Sequence, residues 1–407
     1  MAMPWASRPS QPKPLPRSLD LLPDESLTGF VLRLSYRLGV SPGHLAKVTG
    51  LTSKSGENPG TLPFRLLTGR GNADAFAAAT RLTLQEATDL QLTTLGIFNG
   101  PPPRPHRARP VAVTNLLGWS VHHRWILQDQ PRFCPQCLAG DGSRLETELG
   151  GSWQRHWYLP AVFACIRHQR LLHHTCPNDP DHRFLGAELI RVMIGKANDA
   201  EPHPTQCRHP ARDRRRRGEQ LPHCGAPLAD DSSAVQHEAD LSVLRDLLEL
   251  QHELLADMNS EPSHPCRVAG TAVGNLQYFT DLSILAALVL LSWPATWPLC
   301  PSPALADKID RDVHRRIQMN NDPDRSWKRQ VTFPWSAAPS DALTCAAVLH
   351  LARGLLQLPD PIELAQHLAP FLGQAWETDR RATESLRTSI KLSRPLAHAI
   401  ARTPRPI

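Results

Sequence analysis

At 407 residues, 41% of them apolar, the chain can fill about two to four compact domains, and its most apolar run, Leu282 to Leu291, is too short to span a bilayer. Its net charge of +6 is unevenly spread: residues 1–118 hold 13 Lys/Arg against 7 Asp/Glu, whereas residues 231–407 hold 17 against 20. A basic front half suits a polyanionic partner, and the slightly acidic rear argues against a second one there. Of the basic residues 38 are Arg and 7 are Lys, a bias that suits phosphate but that genomic base composition produces as readily.

Residues 1–19 are Pro-rich with no apolar stretch and read as a disordered leader, not a signal peptide. The chain is accordingly expected in the cytoplasm, where nine cysteines are not disulfide-paired and clustered ones point to metal. Residues 20–118 read as a helical domain. Leu27, Phe30, Val31, Leu34 and Leu38 give one apolar face to a helix of about 14 residues. Gly39 ends it, and Ser41 caps a second helix with Pro42 at its first position and Leu45, Val48 and Leu51 on its face. That is the outline of a helix-turn-helix, a pattern shared by many helical bundles. If the unit meets DNA, His44 and Lys47 on its second helix are the candidate contacts. A second such unit has Phe76, Ala79 and Leu82 on one helix and the capping box Thr83-Leu84-Gln85-Glu86 opening the next. Pro101 to Pro105 is a stiff linker.

Residues 119–230 hold the chemistry. Cys134-Pro-Gln-Cys137 places two thiolates two residues apart, and Cys165-Ile-Arg-His168 repeats the spacing with an imidazole. Four soft or borderline ligands with no vacancy describe a closed, structural, tetrahedral zinc. A catalytic ion would keep an open position. The deaminase pattern fails for want of a His-x-Glu, and the zincin pattern begun by His252-Glu253 fails at Ala256. No paired carboxylates, nucleophile elbow or phosphate-cradling glycine loop is evident, so an enzyme is not expected. Trp153, Arg155, His156 and Trp157 lie between the two halves, the tryptophans reading as a lid over the site or, less readily, as a base-stacking surface.

A second zinc is expected on Cys176, Cys207 and Cys224, with His182 as the favoured fourth ligand and His209 or His223 as alternatives. Arg208, Arg212, Arg214, Arg215, Arg216 and Arg217 fall between its ligands, either a solvated run or a phosphate clamp on an exposed loop. Beyond, residues 231–407 read as a helical domain, with helices at Leu241 to Leu255, Leu282 to Leu291, Leu343 to Leu355 and from Asp360-Pro361-Ile362-Glu363. Trp293 to Pro303 and Asn320 to Pro339 read as loops, and Arg402 to Ile407 as a frayed tail.

Leu22-Pro-Asp-Glu25-Ser-Leu, Arg33-Leu-Ser, Arg132-Phe-Cys-Pro-Gln-Cys-Leu138, Trp157 and Cys165-Ile-Arg-His168-Gln-Arg-Leu-Leu172 together resemble the TniQ family, over roughly residues 18–230. The resemblance implies a helix-turn-helix N-terminal domain and a zinc-ribbon-like middle; joined with the residue patterns above, the expected fold is mainly α, with two zinc sites in the middle and a helical C-terminal domain to which the resemblance does not extend. It also implies a non-catalytic adaptor of DNA transposition that brings an AAA+ ATPase, and through it a transposase, to target DNA or to an RNA-guided effector. A stand-alone DNA-binding regulator is the rival reading, and homodimerisation is left open. Asp179 stands where a simple second knuckle would place its Cys, which unsettles the ligands of the second site.

Overall fold

A computed structural model describes residues 13–51, 70–92, 128, 131–182, 202–209, 223–230, 241–259, 265–321, 335, 337–389 and 392–404. The described residues are mainly helical, with 13 α-helices and two antiparallel two-stranded hairpins.

The N-terminal helices begin where side chains can satisfy their free amides. Helix α1 (Leu27–Leu38) starts at the first residue of its apolar face, where the Ser26 hydroxyl caps it by accepting from Gly29 N at 3.1 Å. It stops at Gly39, whose φ of 65° other residues adopt only with strain. Ser41 then caps α2 (Pro42–Val48). Helices α3 (Arg70–Thr80) and α4 (Leu84–Asp89) follow, the second opened by the reciprocal Thr83–Glu86 capping box. Phe30 meets Phe76 edge to face at 5.9 Å, which joins α1 to α3.

One buried ion pair organises the approach to α1. Arg33 Nη1 donates to both oxygens of Glu25, at 2.8 and 2.7 Å, and both side chains are fully buried. Glu25 also accepts from Leu22 N at 3.2 Å, and Arg33 Nη2 donates to Asp20 O at 3.3 Å. The segment preceding α1 is thereby folded back on it.

The middle of the chain is irregular. Helices α5 (Pro135–Ala139) and α6 (Arg144–Leu149) precede a single 3-10 turn (Arg155–Tyr158) and the hairpin β1 (Ala164–Cys165) and β2 (Arg170–Leu171). Helix α1 presses against this module closely enough that a Cβ on Gly29 would lie 2.9 Å from that of Trp153.

The C-terminal helices are α7 (Leu241–Asn259), α8 (Asn275–Leu291), α9 (Pro303–Asn321), α10 (Ala342–Leu356), α11 (Pro361–Thr378), α12 (Arg380–Arg387) and α13 (Arg394–Arg402), with hairpin β3 (Cys266–Val268) and β4 (Thr271–Val273) between the first two. Helix α8 is buried from Tyr278 to Leu291 and forms the centre, α10 packing along it. It starts seven residues before Leu282, the first residue of its apolar run. Asn320 and Asn321 belong to the end of α9 instead of a loop, and Arg402 closes α13; residues 322–334, 336 and 405–407 lie outside the described residues.

These helices are not a separate bead. Gln251 of α7, fully buried, accepts from Phe163 N and Ala164 N at 2.6 and 2.9 Å and donates to Ala161 O at 3.2 Å. Arg132, just before the first cysteine, donates to Pro160 O and Val162 O and, across the joint, to Pro339 O at 2.7 Å and Ser340 O at 3.1 Å. Cys345 of α10 points its thiol at Pro160 O. One run of main chain, residues 160–164, is held from both sides.

Candidate metal centres

The two halves of the first cluster are brought together by main-chain pairing. Phe133, one residue before Cys134, forms an antiparallel bridge with His173, two residues after β2, through hydrogen bonds of 2.8 and 2.7 Å. Cys134 thus enters α5 beside the hairpin that carries Cys165 and, in its turn, His168. Gly151 closes the back of the site: a Cβ there would sit 1.9 Å from Cys137 O, so only glycine fits.

His168 Nδ1 lies 3.4 Å from Cys134 Sγ, 3.2 Å from Cys137 Sγ and 3.4 Å from Cys165 Sγ; the last two sulfurs are 3.6 Å apart. A tetrahedral ion with bonds of about 2.3 Å to sulfur and about 2.0–2.1 Å to nitrogen needs edges of about 3.8 and 3.6 Å. The donors therefore stand close to the corners of such a tetrahedron. Their crowding is costly without a cation. Hydrogen bonds from the Cys134 and Cys137 thiols stabilise a thiolate on Cys165, while hydrogen bonding with Cys134 and Cys165, together with burial, pushes Cys137 up. Three sulfurs this close ionise together only around a metal. The arrangement fits a metal ion.

The second cluster gathers Cys176, His182, Cys207 and Cys224, with all four ligand atoms within 4.8 Å of one another. Cys176 Sγ and Cys224 Sγ are 3.8 Å apart, and Cys207 Sγ is 3.9 Å from His182 Nδ1. Residues 205–209 and 223–228 run antiparallel, tied by Cys207 N to Ala226 O, Cys224 N to His209 O and Leu228 N to Thr205 O, and this pairing sets Cys207 beside Cys224. The other histidines have other partners. His209 stacks on the His182 ring at 4.4 Å, His223 Nδ1 meets Arg208 O at 3.0 Å, and His203 Nδ1 meets Thr205 Oγ1 at 2.8 Å. These four donors could also hold an ion.

Asp179 occupies a different place from the one its spacing suggests. Its Oδ2 is 3.3 Å from His182 Nε2, on the far edge of the ring from the thiols. Neither this carboxylate nor the main-chain clamp of Arg132 and Gln251 has a sequence signature; a short Asx turn, Asn-Asp-Pro-Asp, is the nearest hint of the first.

The tryptophans of the first module are core. Trp153 and Trp157 are fully buried, 6.0 Å apart and edge to face, between α1 and the cluster. Neither has a face free for a nucleobase, which removes the stacking alternative. Trp153 Nε1 donates to Pro204 O at 3.0 Å and so links the first cluster's module to the second's.

The candidate nucleic-acid residues divide three ways. His44 and Lys47 are exposed on α2. Arg208 corrects the expectation of a wholly exposed Arg loop: it is 2% exposed, and its guanidinium donates to Pro202 O at 2.8 Å because it braces the strand that carries Cys207. Arg212, Arg214, Arg215, Arg216 and Arg217 lie outside the described residues.

No curated protein and no solved structure matches the chain. The model of the TniQ family, a family associated with DNA transposition, matches residues 16–172. That span opens before α1 and closes just after His168, so it holds the Glu25–Arg33 pair and all four ligands of the first cluster but none of the second. Over residues 16–172, less than half of its length, the chain is similar to the TniQ family.

Proposed function

We propose that this protein is a target-selection adaptor of DNA transposition, which binds target DNA or a DNA-bound targeting complex and recruits an AAA+ transposition ATPase. The observation that carries the reading is the coincidence of the TniQ match with one packed body, formed by α1, the Glu25–Arg33 pair and the first metal cluster. In this reading the chain performs no chemistry of its own and works in the cytoplasm. It is divided into the four parts expected from sequence, with a helix-turn-helix at α1–α2 and a zinc-ribbon-like middle. Both clusters hold zinc, for which a sulfur-rich, four-donor, closed set is suited, and each ion supplies folding energy. His44 and Lys47, exposed on α2, support a contact with DNA phosphates through this unit, and the Arg212 to Arg217 run extends it.

Two measurements test this. Affinity capture with the purified chain should retain an AAA+ ATPase. Tight, sequence-specific DNA binding by the chain alone, with no ATPase retained, would replace the adaptor by a stand-alone zinc-containing regulator. Elemental analysis should find two zinc ions per chain, and chelation should abolish the cooperative unfolding of the middle region; a metal-free, fully folded protein would end the zinc reading.

A further inference from the structure

The second cluster has a feature that its four ligands do not account for. His182 presents Nδ1 to Cys207 Sγ, 3.9 Å away. Its opposite nitrogen, Nε2, is 3.3 Å from Asp179 Oδ2. The ring is 7% exposed, and its plane is fixed by the stacked ring of His209 at 4.4 Å and 19°. The backbone reinforces this, with His182 N donating to Asp179 O at 3.1 Å. The other carboxylate oxygen, Oδ1, accepts from Asp181 N at 2.9 Å and fixes the orientation of the group.

We infer that Asp179 is a positioning residue for the second metal site: its carboxylate accepts the Nε2 proton of His182 and so holds the neutral tautomer in which Nδ1 carries a lone pair. A neutral imidazole has one proton for two nitrogens, and only the unprotonated one can bind a metal. A carboxylate at Nε2 places the proton there, aims the ring and makes Nδ1 a stronger donor. The residue that breaks the Cys-x-x-Cys spacing therefore completes the site from behind the histidine. The inference rests on the metal reading of the second cluster, and the experiment below separates the two.

Asp179→Asn and Asp179→Ala are compared with the unaltered full-length chain. Each is stripped of metal, titrated with cobalt(II) and read by its thiolate-to-cobalt absorption, then challenged with zinc and a chromophoric chelator. Asparagine can keep Oδ1 as acceptor for Asp181 N, so the turn survives. Its amide NH2 then faces Nε2 and favours the tautomer with the proton on Nδ1, the nitrogen facing the thiols. A residue that merely braces the turn tolerates this change. The assignment expects both variants to bind the second ion about 10–100-fold more weakly, the first ion's affinity remaining unaltered as the internal control. Asparagine binding both ions as tightly as the unaltered chain would overturn the positioning role while leaving the second site intact. An unaltered chain that takes up one ion alone would overturn the site and the assignment together.

Discussion

Glu25 and Arg33 are the two residues on which the N-terminal body turns. Both side chains are fully buried, so their charges have left water and are met by each other and by the main chain at Leu22 and Asp20. Removing one partner strands the other. Glu25→Ala should cost about 3–5 kcal/mol, read as a lower urea midpoint for the metal-loaded chain, and exchanging both for apolar residues of similar volume should recover most of that loss. A result within about 0.5 kcal/mol for Glu25→Ala would mean that Arg33 reaches water in solution. The pair also gives a physical reason for the Leu-Pro-Asp-Glu and Arg-Leu-Ser segments that carry the family resemblance. They are two ends of one ion pair, eight residues apart.

Among the elements, α8 carries an unusual charge. Asp281 sits in the middle of an apolar, buried helix and accepts from Ser393 N at 3.1 Å and Gln277 Nε2 at 3.0 Å, the first of these anchoring the start of α13. Burial raises its pKa from 3.8 to about 6, against the smaller opposing effect of its hydrogen bonds to Ser393 and Gln277. The folded state therefore prefers the neutral acid, and the stability it lends is complete below about pH 4 and lost as pH rises through about 6. Asp281→Asn keeps a neutral acceptor in place. It should stabilise the chain by about 1–3 kcal/mol at pH 7.5 and by nothing near pH 4, as urea titrations at the two pH values would show. Equal effects at both would mean that the carboxyl ionises freely in the fold.

Elements were legible in the sequence in proportion to how much of their information is local. Ser41, Thr83 and Asp360 cap the helices they were read as capping. Helix α9 escaped notice because it is crowded with charge; its large buried apolar residues are Leu305, Ile309 and Val313, one per turn, with the small Ala306 beside them. Helices α12 and α13 are short and flanked by polar residues, and their apolar faces make sense only against α11. The metal donors of the first cluster were legible because two residues per knuckle is a local spacing. His182 was a choice among several histidines, since the antiparallel run that sets Cys207 beside Cys224 is assembled from segments the sequence does not mark as strands.

At the scale of the whole molecule, the joint between the metal module and the C-terminal helices is made by side chains gripping main chain. Gln251 satisfies two amides and one carbonyl of residues 161–164, and Arg132 satisfies four carbonyls on both sides of the joint. Gln251→Leu leaves those buried main-chain groups without partners. It should destabilise the chain by about 3–9 kcal/mol, on the order of 1–3 for each of the three groups left unsatisfied, and increase the rate of limited proteolysis. Unchanged proteolysis with unchanged stability would show that the two parts are held by apolar contact alone.

The same joint has a consequence in time. Arg132 and Ser340 are 208 residues apart in the chain. At about 5–20 residues per second, a ribosome delivers the second partner about 10–40 s after the first. Cys224 follows Arg132 by 92 residues, so for the last ~6–23 s of that interval the cysteines of both clusters are all made while residues 161–164 still wait for α10. If the clusters take up ions as proposed, a cell short of metal during those seconds leaves the nascent chain with neither ions nor cover. On the proposed metal reading, expression in metal-depleted medium should lower the yield of folded chain more than stripping metal from the finished protein does, and equal losses would argue against this coupling.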